Sequence, residues 1–211
     1  MGVVREKKMI IAVTGTPGTG KTSVCKSRTL GREFDFLDLN RVVKEKGFYT
    51  GVDNERGGCL VADLEKLWDF VRSEERVEEG GKEGGRVVLI ESHLSHLLSP
   101  EVAVVLRANP ALLAERLKQK GFSGPKIREN LEAEVLDIIL AEAVERCGVV
   151  YEVDTSGKSV EEVASAVREI VLTETAGSPA KGNLVKAKQK SLKERHKPGS
   201  VDWSSFVDLF F

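Results

Sequence analysis

The chain of 211 residues predicts an α/β domain on a doubly wound, mostly parallel sheet of about five strands, followed by a basic C-terminal extension. Three observations carry that expectation. Apolar runs of strand length recur along the chain, with helix-periodic stretches between them. The first run leads into Gly15-Thr16-Pro17-Gly18-Thr19-Gly20-Lys21-Thr22, a full match to the phosphate-binding pattern G-x-x-x-x-G-K-[ST]. An apolar content of 41% is enough for a substantial core.

Residues 1–8 read as a short basic leader before the first strand, Met9-Ile10-Ile11-Ala12-Val13-Thr14. In the glycine-rich loop that follows, glycines at 15, 18 and 20 let backbone N–H groups converge on phosphate oxygens, and a Cβ there would obstruct the approach. Lys21 brings a full positive charge to the β- and γ-phosphates, and the Thr22 hydroxyl suits Mg²⁺. Ser23 opens the continuing helix, whose N-terminus adds partial positive charge. Such a site grips a nucleoside triphosphate.

Residues 34–39 alternate apolar and acidic side chains as a second strand. Asn40 is placed to cap a helix ending at Gly47, and residues 48–54 read as a loop. Leu64, Leu67, Trp68 and Val71 share a helical face, with Trp68 read as packing. Residues 78–85, polar and rich in glycine, form a surface connection. The next buried strand, residues 86–90, delivers Glu91 to its C-terminal edge, where a carboxylate can orient the magnesium shell through water. His93, two residues on, is within reach of the γ-phosphate, a water or the loop.

A further strand over 102–107 precedes Asn109-Pro110 and a helix with Leu112, Leu113 and Leu117 inward and Arg116 near its end. The basic loop 119–126 then leads into one long helix with the stripe Ile127, Leu131, Val135, Ile138 and Ile139. Arg116 and this loop, Lys120 included, can close over phosphates as a lid. The last strand, residues 149–154, is followed by a helix with Val160, Val163, Ala164, Val167, Ile170 and Val171 on one face.

Beyond Gly177-Ser178-Pro179 the composition changes: Lys181, Lys186, Lys188, Lys190, Lys193, Arg195 and Lys197 form a basic block, and the end is acidic and aromatic, with Val207, Phe210 and Phe211 able to share a face. That end is expected to dock on the domain or on a partner. The formal net charge of −1 gives no global reason for nucleic-acid binding, so any such role rests on this block. Three widely spaced cysteines, Cys25, Cys59 and Cys147, argue against a disulfide framework or a zinc site. No apolar run has the ~18 residues of a membrane span, and no secretory segment is present, so a cytoplasmic protein without membrane contact is expected. There is no Asn-Lys-x-Asp guanine signature, and a small-metabolite kinase on the same fold stays open.

Taken together, Gly15 to Thr22, Tyr49-Thr50-Gly51-Val52-Asp53, His93-Leu94-Ser95-His96 after a strand-end acid, Val105-Leu106-Arg107, Glu115-Arg116-Leu117 and Glu152-Val153-Asp154-Thr155-Ser156-Gly157-Lys158 resemble one family. It is the short-lid adenylate kinase and ATPase of archaea and eukaryotic nuclei, which also assists small ribosomal subunit maturation. The similarity covers residues 9–173, and Val201-Asp202-Trp203-Ser204 resembles an ending of archaeal members.

The resemblance implies a P-loop nucleoside monophosphate kinase fold over 9–173, a monophosphate-binding region at about 38–61 with Lys44 and Asp53, a short lid at about 119–129, and a tail from 174 to 211. It implies Gly15, Gly18, Gly20, Lys21, Thr22, Ser23 and Lys120 as the ATP site, Thr22 and Glu91 at Mg²⁺, and Lys21, Glu91, His93 and Arg116 as the catalytic set. AMP or another nucleoside monophosphate is the implied acceptor, with a small-subunit ribosomal protein and rRNA as partners. Three positions depart from the family: Glu91 replaces its usual Asp, and Lys44 and Lys120 replace arginines. A lysine is a point charge where arginine is a bidentate fork, so the resemblance implies weakened transfer, with ATPase activity ahead of kinase activity.

Overall fold

A computed structural model describes residues 9–53, 58–73, 87–176 and 183–209. The leader, the connection at 78–85, Lys181, Phe210 and Phe211 lie outside the described residues. Within them the elements run β1 (Met9–Thr14), α1 (Lys21–Cys25), α2 (Arg28–Gly31), β2 (Asp35–Asp38), α3 (Leu39–Lys46), β3 (Tyr49–Asp53), β4 (Cys59–Ala62), α4 (Leu64–Ser73), β5 (Val87–Glu91), a 3-10 turn (Ser95–Leu98), β6 (Val102–Arg107), α5 (Pro110–Gln119), α6 (Gly124–Val135), α7 (Ile138–Arg146), β7 (Val149–Asp154), α8 (Val160–Thr175), α9 (Asn183–Arg195) and a 3-10 turn (Ser204–Leu209).

Five strands form one parallel sheet in the order β2-β5-β1-β6-β7. Successive residues of a strand face opposite sides, and the core divides accordingly. Ile11, Val13, Leu89, Val104 and Leu106 pack with α1, α2, α8 and Leu192 of α9 on one side. Ala12, Val88, Ile90, Ala103 and Val105 pack with α3, α4 and α7 on the other. A fully buried Leu or Val contributes about 1.5–3 kcal/mol, so these two layers hold the sheet. The result is the expected doubly wound α/β architecture. Among the described residues, no helix is long and apolar enough to cross a membrane.

The chain reverses direction across the sheet at β1: β2 and β5 lie on one side of it, β6 and β7 on the other. Ligands of such sheets bind where the strand order switches, at the strand C-termini. The glycine-rich loop follows β1 at that place.

Several sequence expectations are corrected. The cap of α3 is Asp38, whose carboxylate accepts from Arg41 N at 3.1 Å, because the helix already begins at Leu39. Asn40 instead accepts from the Ser92 hydroxyl at 3.1 Å, joining α3 to the end of β5. Residues 49–53 are a strand, paired antiparallel with β4 in a separate hairpin. The expected long helix is two, α6 and α7, broken where Asp137 takes a left-handed φ of 55°. Leu112, Ile138 and Val160 are exposed, so each falls outside its stripe. Trp68 packs on the α3–α4 side of the core and stacks under Arg72.

The described part of the C-terminal segment lies on the domain. α9 packs on α8 and buries Leu192. The carbonyl of His196 then accepts from Glu152 N at 2.8 Å, which occupies part of the outer edge of β7.

Candidate active site

The loop after β1 owes its shape to neighbouring strands as much as to its own sequence. Gly15 has φ +133°, and a Cβ there would lie 2.2 Å from the Leu106 carbonyl oxygen. Gly18, at φ +97°, would meet Leu113 of α5 at 2.7 Å. The first reason for glycine at these two positions is therefore internal packing and backbone conformation, ahead of the approach to phosphate. Gly20 caps α1 in the left-handed region. α1 has five residues before the chain restarts as α2 on the Ser27 cap, so its macrodipole is short and the grip depends chiefly on loop N–H groups and Lys21.

Lys21 is buried and folds back on the loop, its Nζ donating to the carbonyls of Gly15 at 2.7 Å and Thr16 at 3.0 Å. Burial pushes its pKa down to about 8; Lys120 adds to the fall, and Glu91 and Glu134 oppose it. The register pairing Val13 with Glu91 brings the β5 acid beside the loop. There Glu91 Oε2 accepts from the Thr22 hydroxyl at 3.0 Å. Burial raises the Glu91 pKa, while Lys21 and the Thr22 bond hold it down.

His93 lies partly buried beyond β5, in the field of Lys21, His96 and Lys126; burial first, then Lys21, pushes it down to about 4. It is a neutral imidazole at pH 7. His96 is a brace: its Nδ1 meets the Thr14 hydroxyl and its Nε2 meets Glu142, each at 2.9 Å, tying the end of β1 to α7.

On the β6–β7 side, Arg116 donates from Nη1 to the Gly18 carbonyl and the Thr155 hydroxyl, each at 3.4 Å. It overhangs a cavity of about 300 Å³ lined by Gly18, Thr19, Gly20, Ser23, Gln119, Lys120, Thr155 and Lys158 among others. The structure thus joins Gly18, Gly20, Ser23, Arg116 and Lys120 in one pocket, with Lys21, Thr22 and Glu91 at its loop. Gln119, Thr155 and Lys158 were not singled out from sequence as site residues. The signal was positional, since the β7 C-terminus must emerge beside the glycine-rich loop in such a sheet. Thr155 is fixed there by bonds from its N and its hydroxyl to the Arg107 carbonyl, at 2.9 and 2.8 Å.

Two predicted residues stand apart. Lys44 is exposed near the end of α3, and Asp53 ends β3 in the hairpin. The hairpin reaches α6 through Lys126, whose Nζ lies 2.6 Å from Cys59 Sγ.

A divalent cation fits at Thr22 and Glu91. These supply a hydroxyl and a carboxylate oxygen already in contact, and the described residues hold no group of three His, Cys, Asp or Glu that would cage a metal by itself. That is the donor chemistry of Mg²⁺, which keeps waters and phosphate oxygens in its shell, and unlike that of a structural zinc.

Comparison with known proteins agrees with this geometry. A protein-family profile described as "AAA domain" matches residues 11–137. A Methanosarcina barkeri protein named "Putative adenylate kinase" is 42% identical over 201 residues, covering 94% of this chain and 100% of the relative. An Archaeoglobus fulgidus protein of the same name is 41% identical over 200 residues, covering 95% and 94%. Among solved structures, shikimate kinase from Acinetobacter baumannii superposes with a TM-score of 0.52 at 15% identity, covering 80% of this chain and 96% of the enzyme, a likeness of fold. With relatives this similar along nearly its whole length, the chain belongs to their archaeal family of P-loop proteins, one of nucleoside monophosphate kinase-like type.

Proposed function

We propose that the protein transfers the γ-phosphoryl group of MgATP to AMP, forming two ADP. The observation that carries this reading is the placement of two separate flanks about one phosphate loop. The cavity lies on the β6–β7 side of β1, while α3 and the hairpin follow from β2 on the other side. A donor in the first and an acceptor on the second would meet over Gly15 to Thr22. The names of the archaeal relatives support adenylate as the nucleotide.

In this reading residues 9–173 are the catalytic domain, 38–61 the monophosphate region and 119–129 the lid. ATP occupies the cavity, with Gly15, Gly18, Gly20 and Ser23 at the phosphates and Lys120 above them. Lys21 exchanges its two carbonyl bonds for the β- and γ-phosphate oxygens, and phosphate charge holds its proton more tightly. Mg²⁺ held by Thr22, and by Glu91 through water, supplies neutralisation of phosphate charge. Arg116 leaves its long bonds at Gly18 and Thr155 to reach the charge that develops on the transferring group. No side-chain nucleophile is required, because the AMP phosphate attacks. Lys44 and Asp53 orient AMP once the hairpin closes. His93, neutral, contributes a hydrogen bond to the phosphate or to a water and no charge. A coupled assay for ADP tests the proposal: MgATP plus AMP should yield ADP far above a Lys21→Ala control, and equality of the two would overturn it.

A second reading, an ATP-driven factor that binds a small-subunit ribosomal protein and rRNA, has its own observation. On α9, Lys188 and Arg195 pair with Glu169. Lys186, Lys190 and Lys193 share another face, exposed and with no acidic partner among the described residues. Three such charges would give RNA affinity a salt slope of about −2. Replacing all three by Glu should abolish binding of small-subunit rRNA; unchanged affinity would refute a tail-borne RNA role. One nucleotide site can serve both readings.

A further inference from the structure

Behind the phosphate loop lies a buried charge cluster that phosphoryl transfer does not use. Arg107, Glu134 and Glu152 are 2%, 2% and 1% exposed. The Arg107 guanidinium donates from Nε to Glu134 Oε1 at 2.8 Å, from Nη1 to Glu152 Oε1 at 2.5 Å, and from Nη2 to the Glu134 carbonyl and the Asp137 carboxylate. One cation thus faces three carboxylates, and the two buried ones need further donors.

Ala108 N, next to Arg107, donates to Glu134 Oε1 at 3.0 Å, and the other donors come from two segments far apart in sequence. The Thr16 hydroxyl, inside the phosphate loop, donates to Glu134 Oε2. From the C-terminal segment, Ser200 N at 2.8 Å, the Ser200 hydroxyl at 3.1 Å and Val201 N at 3.1 Å all donate to Glu152 Oε2. Trp203 Nε1 donates to Glu134 Oε1 at 3.3 Å. Thr16 in turn supplies one of the carbonyls that hold Lys21, and accepts from the Thr19 hydroxyl at 2.9 Å.

We infer that the clasp from Ser200 to Trp203 is a positioning element for the phosphate loop, acting through Glu152, Arg107 and Glu134 on Thr16. A carboxylate turns as one plane, so the Trp203 bond, added to those from Arg107 Nε and Ala108 N on the same oxygen of Glu134, helps to aim the other oxygen at Thr16. The guanidinium is a rigid planar fork and links the orientation of Glu152 to that of Glu134 in the same way. The clasp therefore sets where the Thr16 carbonyl, and with it the Lys21 ammonium, stands before nucleotide arrives. The backbone bond at His196 meets the β7 edge without touching either buried carboxylate, whereas four further donors from Ser200 to Trp203 converge on them. The inference rests on the nucleotide-binding reading of this loop, and not on which acceptor receives the phosphate.

The test is titration of full-length protein with MgADP, alongside its thermal unfolding midpoint. Ser200→Ala with Trp203→Phe should weaken MgADP about five- to tenfold, and in a Thr16→Val background the same pair should add less than about twofold, because the path is already cut. Thr16→Ser, which keeps the hydroxyl, should preserve the full effect. Unchanged MgADP affinity with a lowered midpoint would make the clasp purely structural and overturn the inference. So would effects that simply multiply in the combined variant. A wild-type chain that binds no MgADP would overturn the nucleotide reading itself, a result distinct from either.

Discussion

Lys21 and Glu91 at the phosphate loop are buried and already engaged, Lys21 with two carbonyls and one oxygen of Glu91 with Thr22. The flank formed by α3 and the hairpin is the opposite: Lys44, Tyr49, Val52 and Val61 are exposed, and the hairpin lies outside the main sheet. The contrast teaches that the loop is held by packing before any ligand arrives, whereas the outer flank has bound surface to gain by closing. Damage at the loop should therefore appear in the chemical step, and damage at the flank in acceptor affinity.

The sharpest break of that contrast is at Lys21. Lys21→Ala should lower the rate of ADP formation by ~10³-fold or more, as loss of a phosphate-clamping cation does, with little change in the unfolding midpoint. Arg116→Ala follows. With its bonds to Gly18 and Thr155 long and easily given up, it should cost ~10²–10³ in kcat with a smaller change in KM for ATP, and Arg116→Lys should recover part of the loss.

A pH series separates charge from shape. Free Lys21 loses its proton near pH 8, while phosphate favours the charged form, so above that pH binding must take up a proton. MgATP affinity should hold below pH 8 and fall about tenfold per unit above it, until the pKa of the bound form is passed. Titration calorimetry in buffers of different ionisation enthalpy would detect the proton, and Lys21→Ala should bind weakly with no such slope.

At the flank the expected effect is smaller. Lys44→Ala should raise KM for AMP about tenfold at nearly constant kcat, and Lys44→Arg should lower it below the wild-type value through bidentate contact. Equal losses of kcat and kcat/KM would instead place Lys44 in the transition state and erase the distinction between the two regions.

Legibility in the sequence follows the same division. The strand, glycine-rich loop and Glu91 at the end of β5 are local patterns, each with its own composition, and all were readable. The hairpin was not, because neither strand buries a clear face: Val52 and Val61 are exposed, and no apolar alternation marks the register. The break between α6 and α7 carries no Gly or Pro. Asp137 holds its left-handed conformation where Arg107 Nη2 meets its carboxylate, a contact thirty residues away in sequence. Arg107 with Glu134 and Glu152, and Thr155 with Lys158 at the cavity, become visible only when β6 and β7 lie side by side. Periodicity describes one element at a time, and these groups are defined by several at once.

The division between a prebuilt phosphate grip and a closing acceptor flank is tested most directly by following ATP, ADP and inorganic phosphate together, with and without AMP. Transfer to AMP should give two ADP for each AMP consumed, over and above any release of free phosphate seen without AMP, and this AMP-dependent flux should be lost in Lys21→Ala. ATP consumption that yields only ADP and free phosphate, at the same rate whether or not AMP is present, would contradict it.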